Sequence, residues 1–300
     1  MSRKPLLVLA ALGLHASEPY PGFWKQWGDG QAEMAAYDLT MPRYGQPRAG
    51  AAVTIFVTEP FSKSLRVKAD PGKHPASDET PVMKLNLVRD YPTGVYDYNE
   101  MLSAFVDVPS GLPLKISFSR QEWCGHIYQQ VLFDPAKIRV TSHSYFDGEA
   151  DQQLEMPLPK DAIAEDALLL IARGFAKPSL AAGETRTVRL MNALGTLKGK
   201  EGPVQFIEAK LARSAKPVKV TVPAGTFDAD LWTATLGSAG KREVWVERGG
   251  EGRILKWQSS TGEKAELIRS ARMKYWELNS PAGQAELSKL GLKPRPARTM

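Results

Sequence analysis

The stretch Val218-Lys-Val-Thr-Val-Pro-Ala-Gly-Thr-Phe-Asp-Ala-Asp-Leu-Trp-Thr-Ala-Thr-Leu236 decides the fold class. Val218, Val220 and Val222 alternate with polar residues, the period of a strand that buries one face. Pro223-Ala-Gly225 is turn chemistry, since Pro fixes one backbone angle and Gly tolerates a positive one. Ala229–Leu236 then reads as the returning strand. The cadence extends to both sides, with strands at Thr185–Met191, Val204–Arg213, Arg242–Glu247, Ile254–Ser259 and Ala265–Trp276. Gly237-Ser-Ala-Gly240, Gly249-Gly250 and Thr261-Gly262 break them. Short strands joined by tight turns describe a mainly β chain, an antiparallel meander forming a sandwich or partly open barrel.

Upstream, Ala32–Thr40, Ala51–Glu59 and Val82–Arg89 read as strands, with turn-rich Pro42–Gly50 and polar Ala69–Pro81 between them. Tyr96–Phe105 fits one or two helical turns. Leu114–Phe133 reads as one long strand with a bulge at Gly125, turned back at Asp134-Pro-Ala136 into Ile138–Phe146. Pro157 and Pro159 stiffen a linker. Asp161 is placed to cap an internal helix running to Arg173, with Gly174 at its end. Ser280-Pro281 opens a short C-terminal helix ending near Gly291. The chain thus divides into a leader (1–16), a β-rich portion (17–155), linker and helix (156–174), a β-meander (175–279), and a short helix with a basic tail (280–300).

Arg3 and Lys4 followed by apolar Leu6–Leu14 and Leu14-His-Ala16 have the order of a secretory signal, with cleavage before Ser17. The apolar run is shorter than the about 20 residues that span a bilayer, and no later segment approaches that length, so no transmembrane segment is expected. The expected location is periplasmic or secreted. The formal charge is +6, or +4 once Arg3 and Lys4 are removed against the same 33 acidic residues. The cations are scattered, apart from Lys289, Lys293, Arg295 and Arg298 in the tail, and form no nucleic-acid module; no nucleic-acid partner is expected. A hydrophobic share of 43% is enough for a large core, which places the chain among folded rather than disordered proteins.

The most reactive residue types sit in two short blocks, Gln121-Glu-Trp-Cys-Gly-His126 and Ser142-His-Ser-Tyr-Phe-Asp-Gly-Glu-Ala-Asp151. On one unbroken strand Glu122, Cys124 and His126 share a face, while Trp123 joins Ile127 and Val131 on the core side. Cys124, His126 and His143 are acceptable zinc or copper ligands, and Glu122, Asp147 or Glu149 could complete the shell. Asp147, Glu149 and Asp151 could instead hold a hard cation. A Cys124 nucleophile with His126 as base and Glu122 as orienter is a third reading. Against these stand a buried thiol in a barrel wall and a solvated acidic hairpin end, because no spacing completes a metal, calcium-loop or catalytic signature. Cys124 is the single cysteine, so Trp123-Cys-Gly-His126 lacks the second thiol of the redox motif it superficially resembles. With Asp134-Pro-Ala136 as the turn, His126 falls opposite Ser144, and His143 falls opposite Ile127 on the other face.

The block Val220–Phe227, with Val244-Trp-Val246 and Ile254-Leu-Lys-Trp257, resembles the C-terminal half of an uncharacterised family of exported bacterial β-rich proteins. Their folds are similar to the half-open barrels of outer-membrane lipoprotein carriers. Arg43-Tyr-Gly45, Val53–Glu59, Gln121–Gly125 and Ser142–Gln152 extend the resemblance over most of the mature chain. Some such sequences bear the name septum formation inhibitor Maf. The nucleotide pyrophosphatases of that name carry a Ser-x-Ser-Pro-Arg-type phosphate loop, which this chain lacks. The resemblance implies fold and export and supplies no activity. The reading is therefore an exported β-protein that leans away from enzymes, calls for no cofactor, and binds a hydrophobic or envelope-derived ligand. A lipid or small amphiphilic ligand in an apolar space between strands is its form. Its alternatives are a metal-binding protein or a hydrolase built on Glu122, Cys124 and His126.

Overall fold

In a computed structural model, which describes residues 18–196 and 202–293, the alternating segments join into one large open sheet, antiparallel at all but one pairing. The expected leader, with Arg295 and Arg298 of the tail, lies outside the described residues. Among the described residues the first nine strands are β1 (Ala32–Arg43), β2 (Gln46–Ser62), β3 (Val67–Lys68), β4 (Glu79–Pro92), β5 (Asp97–Asp107), β6 (Pro113–Glu122), β7 (Gly125–Phe133), β8 (Lys137–Ser144) and β9 (Gln152–Pro157). The rest are β10 (Ala162–Ala164), β11 (Thr185–Met191), β12 (Phe206–Arg213), β13 (Val218–Val222), β14 (Gly225–Thr235), β15 (Lys241–Glu247), β16 (Ile254–Ser259) and β17 (Lys264–Met273).

The sheet has two arms that meet at β1. One runs β1-β2-β4-β5-β6-β7-β8-β9, and the other runs from β17 down to β10, because β1 pairs with both β2 and β17. The outer strands of the arms, β9 and β10, are consecutive in the chain yet are not paired with each other among the described residues. Inward residues of both arms, from Tyr37, Leu85 and Phe118 to Leu190, Leu211 and Val244, belong to one hydrophobic core. This is the partly open barrel among the two expected forms.

The interior is filled. Helix α2 (Leu168–Ala172) follows a 3-10 turn, Glu165–Ala167, and all five of its residues, Leu-Leu-Leu-Ile-Ala, are buried. A helix apolar on every side has no surface to offer water and belongs inside. Burying Leu168, Leu169, Leu170 and Ile171 contributes about 1.5–3 kcal/mol each. Gly174 (φ 77°) ends the helix, and the Phe175 N–H returns to the Leu170 carbonyl at 2.9 Å. A helix of the same length earlier in the chain, α1 (Phe23–Trp27), closes the far end with its Phe23 and Trp27 rings against Phe175.

Several sequence expectations need correcting. The internal helix begins at Leu168, not Asp161: Ala162–Ala164 is claimed by parallel pairing with Arg189–Met191, and Asp161 takes φ 58° rather than a capping conformation. Tyr96–Phe105 is not helical. From Asp97 on it lies in β5, whose inward column Tyr98, Glu100, Leu102, Ala104 is buried and pairs with β4 through Tyr91↔Tyr98 and Leu87↔Leu102. The Pro42–Gly50 loop is a two-residue turn at Tyr44 (φ 55°) and Gly45 (φ 71°), the positive angles that match strand twist, with β1 and β2 running up to it. The short C-terminal helix appears as a 3-10 segment, Pro281–Leu290, ended by Gly291 at φ 70°.

Candidate functional site

Gln121–Gly125 does not form one bulged strand. Glu122 pairs with Gly125 and Gln121 with His126, so Trp123 and Cys124 are the tip of a two-residue hairpin. The Glu122 carboxylate accepts the Cys124 N–H at 2.7 Å and holds the turn. Gly125 is needed next to it, because a Cβ there would lie 2.5 Å from the Tyr145 ring. Trp123 is therefore 66% exposed rather than in the core, and the thiol is exposed rather than buried.

This tip stands beside those of the neighbouring hairpins at one end of the barrel. Tyr44 tops β1–β2, Val95 and Tyr96 lie between β4 and β5, and Tyr145 follows β8. The Tyr44 hydroxyl is 3.2 Å from that of Tyr96 and 2.8 Å from that of Tyr98. The Tyr96 and Trp123 rings lie 6.2 Å apart, inclined by 28°. Tyr44, Tyr96 and Trp123 thus form a continuous aromatic strip over three hairpins. The Arg43 guanidinium wedges behind it, 5.0 Å from the Tyr44 ring and 4.6 Å from the Tyr98 ring, and donates to the Tyr98 hydroxyl at 2.9 Å.

A polar column runs from this mouth into the barrel. Tyr98 stacks on Tyr91 at 5.2 Å, and the Tyr91 hydroxyl donates to Glu100 Oε1 at 3.1 Å. Buried Glu100 also receives Arg120 Nε at 2.7 Å and faces Arg89 Nε at 3.1 Å. Burial alone would raise its pKa, but the two guanidiniums hold it below the usual carboxylate range. Arg89 continues to Glu263 at 3.2 Å, which accepts the Trp257 indole N–H at 2.8 Å. A cavity of about 80 Å³ lies here, with Arg89, Asp166, Arg242 and Glu263 in its lining. Asp166 accepts the Leu194 N–H at 2.9 Å, and burial pushes its pKa up to about 7.

The remaining expected site residues do not converge. Glu122 projects inward, whereas His126 is exposed on the outside of β7. The hairpin register is one residue from that expected, because four residues, not three, separate the last pair Phe133↔Ile138; His143 therefore lies opposite Tyr128, not Ile127. His143 is exposed with Nδ1 3.0 Å from Asp151, Glu149 accepts the Ser144 hydroxyl at 3.1 Å, and Asp147 is exposed. Among the described residues no three His, Cys, Asp or Glu side chains are grouped to hold a metal ion. The hydrogen bond to Glu122 raises the Cys124 thiol pKa, the opposite of nucleophile activation.

No protein-family model and no curated protein matches the chain. Among solved structures it is similar to a beta-barrel-like protein of a domain of unknown function, DUF1849, from Brucella abortus. The two share 10% identity over 81% of this chain and 98% of that one, with a TM-score of 0.47.

Of the expected residues, the mouth therefore keeps Glu122, Trp123 and Cys124. Sequence reasoning missed Arg43, Tyr44, Tyr96, Tyr98 and Tyr145. The available signal was an aromatic residue within two positions of a turn glycine, as in Tyr44-Gly45, Gly94-Val-Tyr96 and Trp123-Cys-Gly125. Exposed rings with their edges polar and their faces apolar are suited to ligands that are themselves amphipathic.

Proposed function

We propose that this protein is an exported ligand-binding β-protein, and that its ligand, an envelope-derived glycan, lies across the aromatic mouth rather than inside the barrel. The contiguity of Tyr44, Tyr96 and Trp123 carries the reading. A sugar ring presents C–H groups on its faces and hydroxyls at its edge, so it stacks on such rings while bonding to polar neighbours. The interior offers less room, since α2 occupies it and the adjoining cavity is only about 80 Å³. Among the described residues no helix is long and apolar enough to cross a membrane. Export to the periplasm or medium rests on the tripartite order of residues 1–16.

The test is affinity electrophoresis through gels containing soluble envelope polysaccharide. Wild type is expected to be retarded, and Trp123→Ala and Tyr96→Ala to migrate as in plain gel. Equal mobility of wild type and Trp123→Ala, or binding to anionic vesicles alone, would sink the reading. Sequencing the N-terminus of protein from the cell envelope is expected to begin near Ser17; an intact Met1 on cytosolic protein would refute export.

A further inference from the structure

We propose that the mouth selects acidic glycans, with Arg43 and Arg48 receiving a sugar carboxylate while the sugar ring stacks on Tyr96 and Trp123. The inference rests on the glycan reading above and assigns the charge of the ligand.

Guanidiniums set into this protein are neutralised. Arg89, Arg120, Arg173, Arg213, Arg242 and Arg253 each form an ion pair with a carboxylate. Arg43 and Arg48 are different: neither forms an ion pair among the described residues, although both are half-buried; their Nε atoms, like those of Arg89 and Arg213, are enclosed without an acceptor. Withdrawing a cation from water without supplying an anion is unfavourable, and proteins usually avoid it. The two side chains share one face of the β1–β2 hairpin, because Arg43 pairs with Gln46 and Arg48 with Met41, two positions along. Arg43 is held in place by the Tyr44 and Tyr98 rings and by its single bond to the Tyr98 hydroxyl. The result is a fixed, planar, positively charged donor at the edge of an aromatic platform.

A guanidinium held in one plane matches the two oxygens of a carboxylate. A phosphate would bring up to two negative charges toward Glu122, Asp147 and Asp151 at the same end, so the single charge of a uronic-acid sugar fits better. Neutral sugars would use the rings and leave the guanidiniums unanswered.

The probes are a cellulose oligosaccharide and the polyglucuronate oligosaccharide of equal length, alike in linkage and differing in the carboxylate on each ring. Calorimetric titration of wild type is expected to favour the polyglucuronate by roughly tenfold to a hundredfold, the worth of a hydrogen bond to a charged group. That preference should shrink as salt is raised. Arg43→Gln should lose most of it, its affinity for the polyglucuronate falling much further than its affinity for the neutral oligosaccharide, and Arg43→Lys, which keeps the charge, should retain part. Should both variants misfold on thermal melting, the wild-type preference and its salt dependence decide alone. Equal affinity of wild type for the two oligosaccharides overturns acid selection and leaves the glycan reading standing. A preference unchanged in Arg43→Gln, or a phosphorylated cellulose oligosaccharide bound more tightly than polyglucuronate, overturns it as well. Binding of neither cellulose nor polyglucuronate, with polysaccharide gels also negative, removes the glycan reading itself.

Discussion

Arg173 places both terminal nitrogens on the two carboxylate oxygens of Glu33, at 2.6 and 2.9 Å, inside a wall formed by Trp27, Phe56 and Phe175. The pair ties the end of α2 to β1. Removing one partner strands the other charge in an apolar box. Glu33→Ala is expected to cost about 3–5 kcal/mol in urea unfolding. Glu33→Ala with Arg173→Met should cost less than Glu33→Ala alone; a double variant equal to the sum of the singles would show the two residues to be uncoupled.

Asp166 gives the protein a pH dependence of unusual sign. Its ordinary pKa is 3.8, and burial raises it to about 7 in the folded state. Between those values the folded chain keeps a proton that the unfolded chain has released, so stability falls as pH rises from about 4 to about 7 and this contribution is then level. The Asp166 share is about 2–4 kcal/mol. Asp166→Asn, whose amide oxygen can still accept the Leu194 N–H, should flatten this slope and be more stable than wild type above pH 7, by thermal melts across the range. Parallel stability curves for the two proteins would refute the assignment.

At the mouth, Gly125 and Tyr145 are locked by space. An added Cβ at 125 would sit 2.5 Å from Tyr145 Cδ1 and 2.8 Å from its Cβ, too near the backbone for a simple rotation to relieve. Gly125→Ala is expected to cost about 1–3 kcal/mol. Tyr145→Ala should recover much of that in the double variant, as measured by a double-mutant cycle. Additive effects would place the strain elsewhere.

Cys124 is exposed but restrained by Glu122, whose hydrogen bond and charge disfavour the thiolate. Iodoacetamide labelling followed by mass spectrometry should be slow at neutral pH and faster as pH rises. Glu122→Gln should accelerate it at fixed pH. An unchanged rate in that variant would mean the carboxylate does not control the thiol.

The sequence showed its regular parts where alternation was unbroken. Thr185–Met191, Val218–Val222 and Ile254–Ser259 were read with the bounds the sheet has. Reading failed where an inward position is charged. Glu100 interrupts the apolar column of β5, and what makes its burial tolerable, Arg89 and Arg120, comes from neighbouring strands rather than from nearby sequence. Ala162–Ala164 looked helical for a similar reason: its pairing partner, Arg189–Met191, is distant in the chain. Around Gly125 a bulge and a turn have nearly the same local composition, and the choice falls to the Glu122 bond to the Cys124 N–H. The aromatic mouth was less legible still. Tyr44 and Tyr96 are 52 positions apart, and only the order β2-β4-β5-β6 brings them together with Trp123.

The junction of β1 with β17 has a consequence for the order of assembly. Most pairings in each arm join successive strands, so each arm can form as a local meander while the other is absent. Thr40↔Lys264 and its neighbours instead close a loop of roughly 220 residues, the kind of contact that slows folding most. The arms are therefore expected to form early and to join late, with α2, which follows β10 in the chain, caught inside as they close. Until Lys264–Met273 has been made, one edge of Ala32–Arg43 has no neighbour and remains a template for another chain. A nascent chain held short of that strand is a hazard that the finished barrel no longer presents.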